Sequence, residues 1–149
     1  MMPATASAQN LIQDPSFEAS SGFVVLPPWQ VASGHIDTWP AGMSNITPNS
    51  GSFFANPFGS GGVLTQDVSL TKSGRYQFQF FYAVKSEQTW ALTAKVQGIT
   101  VFTKSDITNT TMQGATSVVN LNAGSAQVLF DAALFPAHLS ANSASMTSA

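Results

Sequence analysis

Aromatic rings and side-chain amides are the groups in this sequence whose chemistry suggests a binding function. A flat ring can stack on the apolar face of a sugar, and amide or guanidinium groups can hydrogen-bond its hydroxyls. Groups of this kind occur at Trp39, Phe53, Phe54, Phe58, Arg75, Gln77, Gln79, Trp90 and Gln97. Of these, we predict as ligand contacts Trp39, Phe58, Arg75, Gln77, Gln79 and Trp90. The alternative for the rings is burial in a core, and for the amides a sheet face that is only solvated.

Catalytic groups are sparse by comparison. The seven carboxylates include no evident acid and base pair for cleaving a glycoside. His35 and Asp37 are two residues apart, so on a strand they would share a face and the carboxylate could orient the imidazole. The alternative is an ordinary surface pair, since a Gly-x-Ser-x-Gly motif is absent and two histidines alone do not make a zinc site. We therefore predict that the protein is not an enzyme.

The composition limits the classes of partner. Charged residues make up 8% of the sequence and the formal net charge is −2, so no strong field attracts phosphates or anionic lipid. No run of about 18 apolar residues is present, and without cysteine there is no thiol chemistry. We expect no nucleic-acid and no membrane partner, which leaves other protein subunits and carbohydrate.

The strongest regular pattern of the sequence runs from Val63 to Val84. Apolar or bulky residues alternate along 64–70 and 76–82, as they do in half-buried strands. The segment 71–74 between them has the length and the glycine of a hairpin turn, so we predict an antiparallel hairpin. Its second strand would face the core with Tyr76, Phe78, Phe80 and Tyr82. The opposite face would carry Arg75, Gln77, Gln79 and Phe81.

Other runs with a strand pattern recur at spacings of about 8 to 12 residues, without a useful helical period. Two of them, 90–97 and 99–103, flank Gly98 as natural hairpin partners. A length of 149 residues suits one domain, so we predict a single all-β antiparallel sandwich over residues 10–136. Small-residue terminal arms flank it: an N-terminal arm, 1–9, and a C-terminal tail, 137–149.

The order of these motifs resembles that of the galactose-binding-like jelly rolls, in particular their carbohydrate-binding modules. The family's opening motif is matched by Asn10-Leu11-Ile12, by Ser16-Phe17-Glu18 and by a following tryptophan, Trp29. Its middle motifs, a Gln-bearing strand and a Gly-Tyr turn before an aromatic strand, are matched by Gln66, Gly74 and Tyr76, and its last strand by 130–134. The resemblance covers residues 10–134 and implies a jelly-roll sandwich with Trp29 in the core.

The same resemblance implies a structural calcium ion. In the family the first and last strands lie side by side, and a Glu and an Asp from them often hold calcium. Carried over, the ligands would be Glu18 and Asp131, with backbone carbonyls completing the six to eight oxygens that calcium takes. A second acidic residue that is common in the family is replaced here by Ala132. The alternative is that Glu18 caps a turn or accepts backbone hydrogen bonds.

Three functions of different classes are compatible with these observations. The first is a structural component of a bacteriophage virion, such as a capsid decoration, head-fibre or tail protein, assembling with other subunits through its tails and sheet faces. Absence of cysteine, low charge and an N-terminus without a signal-peptide pattern favour it. The second is a secreted bacterial carbohydrate-binding module, favoured by the family resemblance, and the third is an enzyme. Our expectation is the virion component, located in the virion, with glycan binding left open, and the alternative is the extracellular carbohydrate-binding module.

Overall fold

The computed structural model describes residues 10–19, 23–84, 90–133 and 139–148, and at 44, 58–61, 133, 139–145 and 148 it describes the backbone alone. Within these ranges the chain forms eight strands: β1 Gln30–Pro40, β2 Phe53–Leu70, β3 Gly74–Val84, β4 Trp90–Val96, β5 Ile99–Ile107, β6 Gln113–Leu121, β7 Gly124–Ala133 and β8 Leu139–Ser148. A short 3₁₀ turn, Met43–Asn45, lies between β1 and β2.

The strands form one antiparallel sheet that curls into two layers. Its order is β5-β4-β7-β2-β8-β3-β6, with β1 paired to β2. The C-terminal half of β2 pairs with β7, whereas its N-terminal half meets β8 at Ala55. Two register shifts in β1, on either side of Ser33 and Gly34, bend the ribbon of β1 and β2 where it passes between the layers. We call β5, β4 and β7 layer A, and β8, β3 and β6 layer B. The predicted antiparallel jelly-roll sandwich is confirmed.

The core fills the space between the layers. The alternation of β3 buries Tyr76, Phe78, Phe80 and Tyr82. Phe130 of β7 packs on Phe78 and Phe80, with ring centroids 5.8 and 5.0 Å apart, although β3 and β7 are not neighbours in the sheet. Trp29 is also buried, as predicted, and donates its indole N–H to the carbonyl of Asp14.

The predicted hairpin of β2 and β3 is wrong, although both strands exist. β8 lies between them in the sheet, so residues 71–73 cross from one layer to the other. Alternation within a strand indicates which of its faces is buried, but not which strand lies beside it. The apolar faces of β2 and β3 are buried whether the two strands are neighbours in one layer or lie in opposite layers. The other predicted hairpin is confirmed, because β4 pairs with β5 around Gly98.

The predicted C-terminal tail is also wrong, since residues 139–148 form β8 beside β3. The small Ser and Ala side chains of this segment show no alternation of apolar and polar residues. The position of the strand is set by its backbone pairing with β3. The buried Met146 of β8 accepts a backbone hydrogen bond from Leu11 with its carbonyl, so the N-terminal segment lies beside this strand. The predicted arm 1–9 and residues 137, 138 and 149 lie outside the described residues.

Candidate functional site

The outer surface of layer B carries the polar row that the sequence predicts on β3. Arg75 and Gln77 are exposed, whereas Gln79 and Phe81 are half-buried, on the side of the strand opposite the buried aromatic residues. Strand geometry explains the arrangement, because alternate residues of β3 must point away from the core. Three of the predicted ligand contacts, Arg75, Gln77 and Gln79, are therefore brought together.

The neighbouring strands extend this polar row. On β6, Asn120 lies opposite Arg75, Val118 opposite Gln77 and Thr116 opposite Gln79. All three of these β6 residues are exposed, and Val118 has 52% of its surface accessible. On β8 the register positions beside Gln77 and Gln79 are Thr147 and Ser145. We call the surface formed by these β3 and β6 residues, together with Phe81, the β3 face. It offers amides, hydroxyls and one guanidinium around a small apolar area.

Phe81 supplies the aromatic ring of this face. It lies opposite Gly114 of β6, and a Cβ at that glycine would come within 3.0 Å of Phe81 Cε1 and 3.4 Å of Cζ. The ring therefore lies across the space that a side chain at position 114 would occupy. A half-buried ring held in this way is a pre-positioned surface for stacking. The sequence shows Phe81 as the lone aromatic on a polar face, but it was missing from the predicted contacts.

A second apolar cluster closes one end of the β3 face. Ala83, the next outward residue of β3 after Phe81, is fully buried beneath Ile46 and Phe54. Met43, Met112 and Trp39 pack partly buried against this cluster. The open part of the face therefore extends from Phe81 to Arg75.

The predicted ring contacts have different outcomes. Trp90 is 1% exposed and belongs to the main core, so the prediction that it stacks on a ligand is wrong for this structure. Trp39 is half-buried and packs edge-on against Phe54, with centroids 6.3 Å apart, so its role as a ligand contact stays a prediction. The side chain of Phe58 lies outside the described part of the chain. Gln97 is occupied by a turn, where its amide bonds the backbone of Asn122 and Ser125.

The predicted calcium ligands are not brought together. The Glu18 carboxylate accepts hydrogen bonds from the backbone N–H groups of Ser52 and Phe53, at 2.7 and 3.2 Å, which is the alternative considered above. Asp131 is exposed on β7, opposite Val63 of β2, whereas the strand beside the N-terminal segment is β8, which contains no Asp or Glu. The described residues thus do not fit the predicted ion. Among them there is also no group of three or more His, Cys, Asp or Glu arranged to hold a metal.

No described helix is long and apolar enough to cross a membrane. No protein-family model matches the sequence, and no curated protein does. Solved structures do match the fold. The carbohydrate-binding module TmCBM61, solved in complex with β-1,4-galactotriose, has a TM-score of 0.70 at 19% identity over 95% of this chain and 100% of that one. The xylan-binding domain CBM22-1 from Paenibacillus barcinonensis has a TM-score of 0.64 at 14% identity, covering 97% of each chain.

A third similar structure is the enzymatically active domain of tailspike protein 4 of bacteriophage CBA120. Its TM-score is 0.65 at 17% identity, over 93% of this chain and 21% of that one, so the likeness concerns a fraction of the tailspike. At these identities the comparisons show the fold. The chain has the galactose-binding-like jelly-roll fold found in carbohydrate-binding modules.

Proposed function

We propose that the protein is a non-catalytic carbohydrate-binding domain that holds a glycan on its β3 face. The observation that carries the proposal is the ring of Phe81, which lies across Gly114 at the end of a strip of exposed amides and hydroxyls. The shared fold supports it, because two of the similar structures are described as a galactotriose complex and a xylan-binding domain.

Each group on the face has a role in this proposal. Phe81 stacks on the apolar face of one sugar ring, while Gln77 and Gln79 bond its hydroxyls and those of the next unit. Strand geometry places the two amides on one side of β3, so both can reach the same ligand. Arg75 is the one charged side chain on the face, so affinity should depend only weakly on salt.

Affinity electrophoresis in gels containing a soluble polysaccharide tests the proposal. The probes are β-1,4-galactan, xylan and a uronic-acid polymer, compared with a gel without polysaccharide. We expect at least one polymer to retard the wild-type protein, and Phe81→Ala to reduce its affinity roughly tenfold, since base and ring stacking contacts of this size contribute about 1–3 kcal/mol. The control is Ile99→Ala, which removes an exposed apolar side chain from β5, in layer A and away from the β3 face. Equal retardation of both variants would place the binding elsewhere, and no retardation by any polymer would contradict the proposal.

A second candidate is a bacteriophage virion component, in which this domain contributes to a larger tail or capsid assembly. The similarity to a part of the phage tailspike favours it. Light scattering on the purified full chain separates the two candidates. A defined oligomer supports the assembly, and a monomer near 15.6 kDa favours an independent, extracellular binding domain. In either setting the glycan would bind to the same β3 face.

A further inference from the structure

We propose that the carboxylate of Glu18 does the structural work that the family resemblance assigns to a calcium ion, so the fold is independent of divalent cations. The proposal concerns the junction between the N-terminal segment and the loop that leads into β2. It does not depend on the proposed glycan site.

The contacts of Glu18 close this junction directly. One carboxylate oxygen accepts the N–H of Ser52 at 2.7 Å, and the other accepts the N–H of Phe53 at 3.2 Å. Bonds of this kind to a charged acceptor are stronger than those between neutral groups. A nearby contact of 2.7 Å between the hydroxyls of Ser16 and Ser50 joins the same two segments. The chain is thus tied across more than thirty residues of sequence without an ion.

Gly51 makes room for this arrangement. Its φ is +70°, a left-handed conformation that favours glycine, and a Cβ there would lie 2.6 to 2.8 Å from the carboxylate carbon and oxygens of Glu18. The loop conformation that aims two successive N–H groups at the carboxylate therefore requires a glycine at this position. Each oxygen of the carboxylate thus accepts a backbone N–H, which supplies the positive partner that a cation would otherwise provide.

Among the described residues, the second predicted ligand belongs to a different part of the sheet. Glu18 accepts the N–H of Phe53, in the half of β2 that meets β8, whereas Asp131 lies opposite Val63, in the half that pairs with β7. Calcium takes six to eight oxygens, each 2.3–2.6 Å from the metal. No described contact joins the two carboxylates, and both oxygens of Glu18 already accept backbone N–H groups. The structure therefore gives this pair no shared site.

The junction with β8 is also made without acidic groups. Asn10 Oδ1 accepts the N–H of Ile12 and the N–H of Met146, each at 3.0 Å. An amide oxygen thus joins the N-terminal segment to β8, whose sequence offers no carboxylate to a metal.

Thermal unfolding of the full chain tests the proposal. We expect the melting temperature to agree within roughly 1 °C in a calcium chelator and in millimolar calcium, because a ligand stabilises only a native state that binds it. Glu18→Gln should lower the melting temperature by about 2–4 °C in both buffers, since the amide keeps the shape but loses the charge and one acceptor. The matched control is Asp131→Asn, which removes the other predicted calcium ligand and should leave both melts unchanged.

Two results would overturn the proposal. One is a rise in the wild-type melting temperature with calcium that is lost in Glu18→Gln, which would show that this carboxylate binds the ion. The other is a Glu18→Gln variant that melts like the wild type in both buffers, which would show that the carboxylate does not close the junction. Glycan binding is measured separately, so neither result bears on the β3 face.

Discussion

Replacing Gln66 by methionine should loosen the N-terminal segment at Gln13. Gln66 is an amide of β2 with only 2% of its surface exposed. Its Nε2 donates to the carbonyl of Gln13 at 2.9 Å, and its Oε1 accepts the N–H of Gln13 at 2.8 Å. The side chain therefore pairs with the backbone of the segment in the way a neighbouring strand would. Methionine has a similar length but can make neither bond.

The expected loss is about 2 kcal/mol, because each of the two hydrogen bonds contributes about 1 kcal/mol and Gln13 loses its partners for both backbone groups. For a domain of this size a loss of about 1 kcal/mol lowers the melting temperature by about 2–4 °C, so we expect a fall of about 4–8 °C. Denaturant unfolding measures the free energy, and amide hydrogen exchange at Gln13 reports the local contact.

Gln127→Met is the matched control for Gln66→Met. Gln127 is exposed on the adjacent strand β7, so its replacement should change stability by less than about 0.5 kcal/mol. The reasoning would be refuted if Gln66→Met unfolded within 0.5 kcal/mol of the wild type and exchange at Gln13 were unchanged.

Three further substitutions test other parts of the structure. Gly62→Ala should destabilise the fold by about 1–3 kcal/mol in denaturant titration, because a Cβ there would lie 2.8 Å from Ile36 Cγ1 and 2.9 Å from the carbonyl oxygen of Ser33. An unchanged midpoint would mean that the bulged part of β1 can shift to accommodate it. Phe23→Gly should have a higher free energy of unfolding than Phe23→Ala, by up to about 1 kcal/mol. Residue 23 has a φ of 62°, and glycine adopts this conformation without strain. The reverse order would contradict that backbone conformation. Trp90→Ala should cost about 3–5 kcal/mol by chemical unfolding, as expected for a core ring, and a stable variant that lost only glycan binding would restore its predicted ligand role.

The strand pattern predicts faces better than partners. Alternation in β2 and β3 correctly predicts that Leu64, Phe78 and Phe80 are buried. It does not predict that β8 lies between the two strands, because seven of the ten residues of β8 are Ser, Ala or Asn. Pairing along β8 depends on backbone hydrogen bonds, which every sequence can make, so the sequence holds little local signal for it.

The position of the last strand also explains the failed ligand pair. The family resemblance places the acidic end of the last strand beside the first, and 130–134 matches that motif in sequence. In the structure residues 130–133 of this motif belong to β7, and 134 lies outside the described residues, whereas Leu11 bonds to β8. The motif match therefore correctly predicted a strand at these residues, but not which strand lies beside the N-terminal segment.

The candidate site was predictable only as far as it depends on alternation within β3. The period of two places Arg75, Gln77 and Gln79 on one face whatever the partners of β3 are. The position of the Phe81 ring depends on the register between β3 and β6, which places Gly114 opposite Phe81. The sequence does not reveal this register. The same period of two places Trp90 on the apolar face of β4 with Leu92 and Val96, so the sequence also indicated the burial that rules out its predicted ligand role.

Chemical-shift mapping by NMR tests most directly whether the β3 face binds a glycan. A polysaccharide fragment identified by affinity electrophoresis would be titrated into isotope-labelled protein. We expect the shifts that change to be concentrated at Gln77, Gln79, Phe81 and Thr116. Changes concentrated at Thr93, Gln127 and Asp131, on the outer surface of layer A, would contradict it.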